Sequence, residues 1–174
     1  MKWKQRLINT GVILLFLFSF YMVQFGPYSS ANVEAHNGGF GTFDMKPYTP
    51  ELMNTVLSGM DEAAFMAEYQ YYACDAFFIV MLFAFQMVIA GAAFKNWKIL
   101  YYLLFATAAL RGIMDTLENT LLQIGIKSFP NINSTMISIC SVVTQIKLFM
   151  IGSWMVILLL GGVIVLIIKC FKKK

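Results

Sequence analysis

The sequence predicts an all-α integral membrane protein: a bundle of four membrane helices with an amphipathic helical segment on its outer side. Three observations carry that expectation. Of the 174 residues, 59% are hydrophobic and only 13% charged, against about 45–50% and about 25% in soluble domains. The mean hydropathy is +0.70. Four apolar stretches, 7–26, 71–94, 97–126 and 135–168, each reach the ~20 residues that a helix needs to cross a ~30 Å hydrocarbon core. The chain reads as a single membrane domain.

The first stretch follows Lys2, Lys4 and Arg6. A basic start, an apolar run and Ser29-Ser30-Ala31 also fit a cleavable signal peptide. The run is long for that purpose, and Tyr21, Met22, Gln24 and Phe25 approach the cleavage position poorly, so a retained helix is expected. The 27–70 segment is the long outer connection. Within it Asn37-Gly38-Gly39-Phe40-Gly41 is rich in turn formers. Thr49-Pro50-Glu51 suits a helix start, with a capping hydroxyl, a proline at the first position and an acid near the positive dipole end. Leu52, Met53, Val56, Leu57 and Met60 would form its apolar face, lying on the membrane surface or capping the bundle. Asp61 can start a further helix through Glu68 into the second span. Tyr69, Tyr71 and Tyr72 are expected as interfacial aromatics. In the third span, Ala108 and Gly112 make a small-residue step suited to close approach by a neighbouring helix.

Charge placement sets the expected topology. Nine of the 13 Lys and Arg fall at three places: Lys2, Lys4 and Arg6; Lys95 and Lys98; and Lys169, Lys172, Lys173 and Lys174. The nine Asp and Glu all lie elsewhere. This asymmetry predicts a multi-pass protein with both termini and the Lys95–Lys98 turn cytoplasmic, in the plasma membrane if bacterial. Lys172, Lys173 and Lys174 read as a stop-transfer anchor facing anionic headgroups. The net charge of +4 therefore implies a membrane, not a nucleic acid.

The residues most open to a functional role are charges inside the spans, which are costly there unless paired or hydrated. On a straight helix Arg111, Asp115 and Glu118 lie ~20, ~26 and ~30 Å above Lys98; Lys147 lies ~33 Å above Lys169, and Asp75 ~30 Å above Lys95. Arg111, Asp115 and Glu118 share a face within roughly 60°, with Asn119 beside them. Glu68, Tyr72, Asp75 and Gln86 line a stripe of the second span; Cys140, Thr144 and Lys147 line one of the fourth. Polar stripes turn toward a bundle interior, so the three are expected to meet in the outer third of the membrane. Asp75, Asp115 and Glu118 outnumber Arg111 and Lys147 by one carboxylate, which would be protonated or shared. Three uses stay open: a structural lock, a lipid or ligand pocket, and an acid–base or proton-carrying site. The Arg111–Asp115 pair could be purely local.

Other signals are weaker. Cys74, Cys140 and Cys170 make no metal or redox pattern. His36 reads as a solvated loop residue, Cys170 as a lipidation candidate in a eukaryote, and Asn133-Ser134-Thr135 as a sequon too close to the membrane. No nucleotide loop, zinc-protease or serine-hydrolase motif is present, and nothing calls for a cofactor or metal.

Phe43-Asp44-Met45-Lys46-Pro47-Tyr48-Thr49-Pro50-Glu51 and Met114-Asp115-Thr116-Leu117-Glu118-Asn119, with Asp75 and Lys147, resemble a loose group of small four-span membrane proteins, mostly bacterial. That resemblance implies a shared fold and no known activity. In layout alone the chain is similar to the emopamil-binding and sigma-2-receptor group, which holds sterol-like ligands in an internal pocket and in some members isomerises them. That similarity implies Asp75 and Glu118 as pocket carboxylates; Arg111 and Lys147 have no counterpart there, and no motif is shared. The expected protein is non-enzymatic. Its polar cluster is structural and suited to a lipid or hydrophobic small molecule, with membrane lipids and a second copy as partners. The alternatives are a lipid or sterol isomerase-like enzyme and a small proton-coupled transporter.

Overall fold

The computed structural model describes residues 2–171; Lys172, Lys173 and Lys174, the expected anchor, lie outside them. The regular structure of the described residues is helical, without strands. Helix α1 spans Lys2–Gln24, α2 Ser30–His36, α3 Pro50–Ser58, α4 Glu62–Phe94, α5 Lys98–Lys127 and α6 Ser134–Phe171, with a 3-10 turn at Phe43–Met45. Helices α1, α4, α5 and α6 are long and apolar enough to cross a membrane. The fold is that of a helical membrane protein.

Its surface is inverted relative to a soluble bundle. Leu14, Phe18, Ile99, Leu103, Phe149, Leu159 and Leu166 are exposed, whereas Arg111, Glu118 and Lys147 are buried. Lipid chains solvate the first set as well as a protein core would, so burial is left to groups that need partners. Helices α5 and α6 form the most extensive pair, α4 packs on α5, and α1 packs on α4. Phe16 of α1 stacks on Phe85 of α4 with centroids 4.1 Å apart.

The 25–61 connection closes one end of the bundle, here termed the loop end. Its local structure follows from capping chemistry. The Ser29 hydroxyl accepts from the Asn32 N–H (3.3 Å) to start α2, and Thr49 Oγ1 accepts from the Leu52 N–H (3.2 Å) to start α3 behind Pro50. Asp61 accepts from the Ala64 N–H (2.8 Å), so α4 begins well before the apolar stretch does. Gly38, Gly39 and Gly41 have φ of 69°, 82° and 80°, a region open to glycine and strained for other residues. Asn37 clips this reversal: its amide donates to the Gly41 carbonyl (2.7 Å) and its carbonyl accepts from the Gly41 N–H (3.0 Å). The chain is thereby turned back onto the bundle, where Phe43 is fully buried.

Helix α3 caps the bundle. Met53 and Leu57 are buried, while Leu52, on the expected apolar face, is 40% exposed. Tyr71 and Tyr72 are fully enclosed rather than interfacial, because the connection sheathes the loop-end turns of α4. Tyr69 keeps an edge position, with the Lys127 ammonium 5.8 Å from its ring. His36 is exposed as the last residue of α2, its Nδ1 2.8 Å from the Asn32 carbonyl. Asn133 caps α6, accepting from the Met136 N–H (3.0 Å).

Close helix approach is built at other positions than expected. Ala108 is buried, but a Cβ on Gly112 would meet nothing within 4 Å. At Gly125 a Cβ would sit 2.7 Å from Ile137 Cδ1 and 3.1 Å from Met53 Cε, and at Gly161 3.2 Å from Phe94 and Leu100. Gly125 thus lets α6 and α3 close on α5. Gly125→Leu is expected to cost about 1–3 kcal/mol by overpacking, while Gly112→Ala is neutral or stabilising, since alanine is the better helix former. Thermal unfolding of the two variants in detergent measures the contrast; equal effects would contradict the assignment.

Candidate functional site

The polar stripes converge beneath the connection. Antiparallel packing sets Glu118 of α5 opposite Thr144 of α6 and Asp115 opposite Lys147. The Lys147 ammonium, 3% exposed, lies 2.5 Å from Glu118 Oε2, 3.4 Å from Asp115 Oδ1 and 3.8 Å from Asp44 Oδ2. Thr144 Oγ1 donates to Glu118 Oε1. The buried Cys140 thiol reaches the Glu118 carbonyl oxygen at 3.6 Å. Arg111 Nη1 donates to Asp115 Oδ2 at 2.6 Å. That pair is not merely local, because Arg111 Nη2 donates to the Ile79 carbonyl of α4 at 3.1 Å. Asn119 Nδ2 donates to Asp75 Oδ2 at 2.7 Å, joining α5 to α4.

Asp75, Arg111, Asp115, Glu118, Asn119, Thr144 and Lys147 are therefore brought together. Glu68 and Tyr72 lie further toward the loop end: Glu68 accepts from the Asn37 amide at 3.3 Å, and the Tyr72 hydroxyl has no protein partner. Gln86 is buried on the same face of α4 but about 16 Å along the helix from Asp75. It shares the stripe and not the site, since helical periodicity sets the angle of a residue and not its depth.

Sequence reasoning missed Asp44. It is 3% exposed, it accepts from the Tyr71 hydroxyl at 3.0 Å, and it contributes a carboxylate to Lys147 from outside the spans. A single aspartate in a turn-rich segment carries no periodic signal; its neighbour Phe43, an aromatic in a polar loop, was the available cue. Asp44 corrects the charge balance. Four carboxylates (Asp44, Asp75, Asp115 and Glu118) now face two cations, a surplus of two rather than one.

Next to the cluster Tyr48 is buried, its N–H donating to Ser141 Oγ of α6 at 3.1 Å. Burial pushes the Tyr48 hydroxyl far above its ordinary range, so it stays neutral beside the carboxylates. A cavity of about 60 Å³ lies among Gln24, Asp44, Tyr71, Asp75, Arg111 and Lys147. Small-molecule pockets run to ~300–1,000 Å³. A far larger hollow, about 650 Å³, is an apolar surface groove between α4 and α5 lined by Ile79, Phe83, Gly112, Ile113 and Thr116. Ile79, whose carbonyl accepts from Arg111, lines this groove. Among the described residues, no three or more His, Cys, Asp or Glu side chains converge as a metal-ligand cluster.

The fold and the site define a multi-pass helical membrane protein with a buried ion network. No protein-family model, curated protein or solved structure matches the chain.

Proposed function

We propose that this chain is a non-enzymatic membrane protein whose ion network clamps the 25–61 connection onto the bundle, presenting a rigid outer cap while both termini face the cytoplasm. One observation supports the reading above others. The Lys147 ammonium meets carboxylates from two other parts of the chain, Asp44 of the connection and Asp115 and Glu118 of α5. A lysine that served only helix pairing would not need Asp44. The role that follows is architectural: a fixed surface for assembly with another copy or another membrane protein.

The competing chemistries find less support. An isomerase needs substrate-sized space beside Asp75 or Glu118, where the space is about 60 Å³. A carrier needs polar groups continuing across the membrane, whereas beyond the buried Gln86 the side chains of Ala90, Phe94, Leu104, Ala108, Trp154 and Val165 form an apolar plug toward the opposite end. Lipid binding keeps one favourable observation, the apolar groove between α4 and α5. Its shape suits an acyl chain held against Gly112 and Ile113. Native mass spectrometry should then show a retained lipid that Ile113→Trp displaces; indifference to that substitution would remove the lipid reading.

The clamp is tested with Asp44→Ala in bilayer nanodiscs. Chymotryptic cleavage at Phe40, Phe43 or Tyr48 is expected to speed up by about tenfold, the equivalent of ~1.4 kcal/mol of local opening, with the helix content unchanged. Unaltered cleavage would show that the connection is not held by the network.

A further inference from the structure

We propose that the cavity beneath the connection binds one small monovalent cation. The inference rests on the clamped geometry, because the connection supplies part of the cavity wall.

The first support is charge. Every element packed around the cavity contributes to its balance. The connection brings Asp44, α4 brings Asp75 and the neutral Tyr71, α5 brings Arg111, Asp115 and, one turn on, Glu118, α6 brings Lys147, and α1 brings only Val23 and Gln24. Glu68 lies further toward the loop end. Four carboxylates against two cations is an unstable balance in a low-dielectric interior, and one bound positive charge halves the surplus.

The second support is an unsatisfied oxygen on a residue that lines the space. Asp44 is 97% buried by its 3% exposure, and its Oδ1 has no hydrogen-bond partner, while Oδ2 is engaged by Tyr71 and approached by Lys147. Arg111 Nε is likewise unpartnered and lines the same cavity. A buried carboxylate oxygen left without a donor is costly, and a cation beside it removes that cost. Arg111 Nε can donate to a water that accompanies the ion.

Size and ligand type narrow the class. A space of about 60 Å³ has room for a small ion and a few waters. It takes an alkali ion with a water, or a proton held on a carboxylate with waters, and excludes an organic amine of any bulk. The lining offers oxygen from carboxylates, the Tyr71 hydroxyl and the Gln24 amide, which suits hard cations. A divalent ion would want more carboxylates converging as ligands than are found here. Met45 and Gln24, at the rim, are exposed and half-exposed, so the site opens toward the loop end.

The experiment follows thermal unfolding of the full chain in detergent, from pH 5 to pH 9, in sodium chloride and in N-methylglucamine chloride at equal ionic strength. If the cation is sodium, Tm rises saturably with sodium, by about 3–6 °C at ten times its Kd, and N-methylglucamine, too bulky for the cavity, has no effect. If the cation is a proton, Tm rises as the pH falls through the folded-state pKa and is indifferent to sodium, because the folded state then binds more protons than the unfolded. In either case Asp75→Asn abolishes the dependence. A second measurement needs no variant. On the unaltered protein, saturable broadening of the sodium-23 resonance reports the alkali ion, and a carboxylic-acid C=O infrared band lost at high pH reports the proton. Neither signal, or a dependence that survives in Asp75→Asn, overturns the proposal. If the connection remains protease-resistant in that case, the clamp stands without the cation.

Discussion

Lys147→Met is expected to lower the unfolding free energy by about 3–5 kcal/mol, the range seen when one partner of a buried charge pair is removed. The residue is enclosed, and its ammonium is the shared counter-charge of Glu118, Asp115 and Asp44. Removing it leaves Arg111 to face four carboxylates. Methionine nearly preserves shape, so the loss reports charge rather than a cavity. The converse substitution should be milder. Glu118→Gln removes one of the surplus negative charges, keeps an oxygen for the Thr144 hydroxyl, and leaves Lys147 with Asp115 and Asp44, so a cost of about 1 kcal/mol is expected. The two together should cost less than their sum, because the first substitution removes a charge that the second would strand. Denaturant unfolding in bicelles measures all three. A Lys147→Met protein within about 1 kcal/mol of the original would mean that the carboxylates take up protons at little expense, and the clamp would lose its basis.

That asymmetry was partly legible in the sequence. The spans announce themselves because lipid demands long apolar runs, and Arg111, Asp115, Glu118 and Lys147 stand out because hydrocarbon does not tolerate unpaired charge. Seven-residue spacing in both stripes (Arg111 to Glu118 and Cys140 to Lys147) sets them on facing sides of an antiparallel pair, and the distances among Glu118, Thr144 and Lys147 realise it. Tertiary information carried by the connection was not legible. Tyr71 and Tyr72 have the composition of an interfacial belt, and only the folding back of residues 37–49 encloses both and makes Tyr71 a wall of the cavity. Asp44 lies in a segment whose backbone is set by three left-handed glycines and one asparagine side chain. No periodicity predicts where such a turn delivers the next residue. Gly112 failed for a related reason: a small residue permits close approach without requiring it, and the helix that closes on α5 does so at Gly125.

Charge alone cannot position the connection, since a salt bridge between mobile partners spends most of its Coulomb energy on ordering them. Something apolar must place Asp44 within reach of Lys147. Phe43 is the candidate: it is fully buried, with ring centroids 4.7 Å from Phe40 and 5.3 Å from Tyr48. Phe43→Ala is therefore expected to cost about 3–5 kcal/mol, as other large-to-small core substitutions of this kind do. The effect should be local. Hydrogen exchange of amides in residues 37–49 should accelerate by a factor of more than a hundred, the equivalent of ~3 kcal/mol, while amides in the middle of α5 and α6 exchange as before. Phe43→Leu, which keeps much of the volume, should retain most of the protection. The pairing of this result with Lys147→Met separates two ways of holding the cap. If Phe43→Ala opens the connection while Lys147→Met does not, apolar packing holds the cap and the ion network merely tolerates burial. If both open it, Phe43 places the aspartate and Lys147 retains it. Exchange in residues 37–49 that ignores Phe43→Ala would leave the ion network and the Asn37 clip as the sole attachments, and would move the anchor of the cap from its core to its charges.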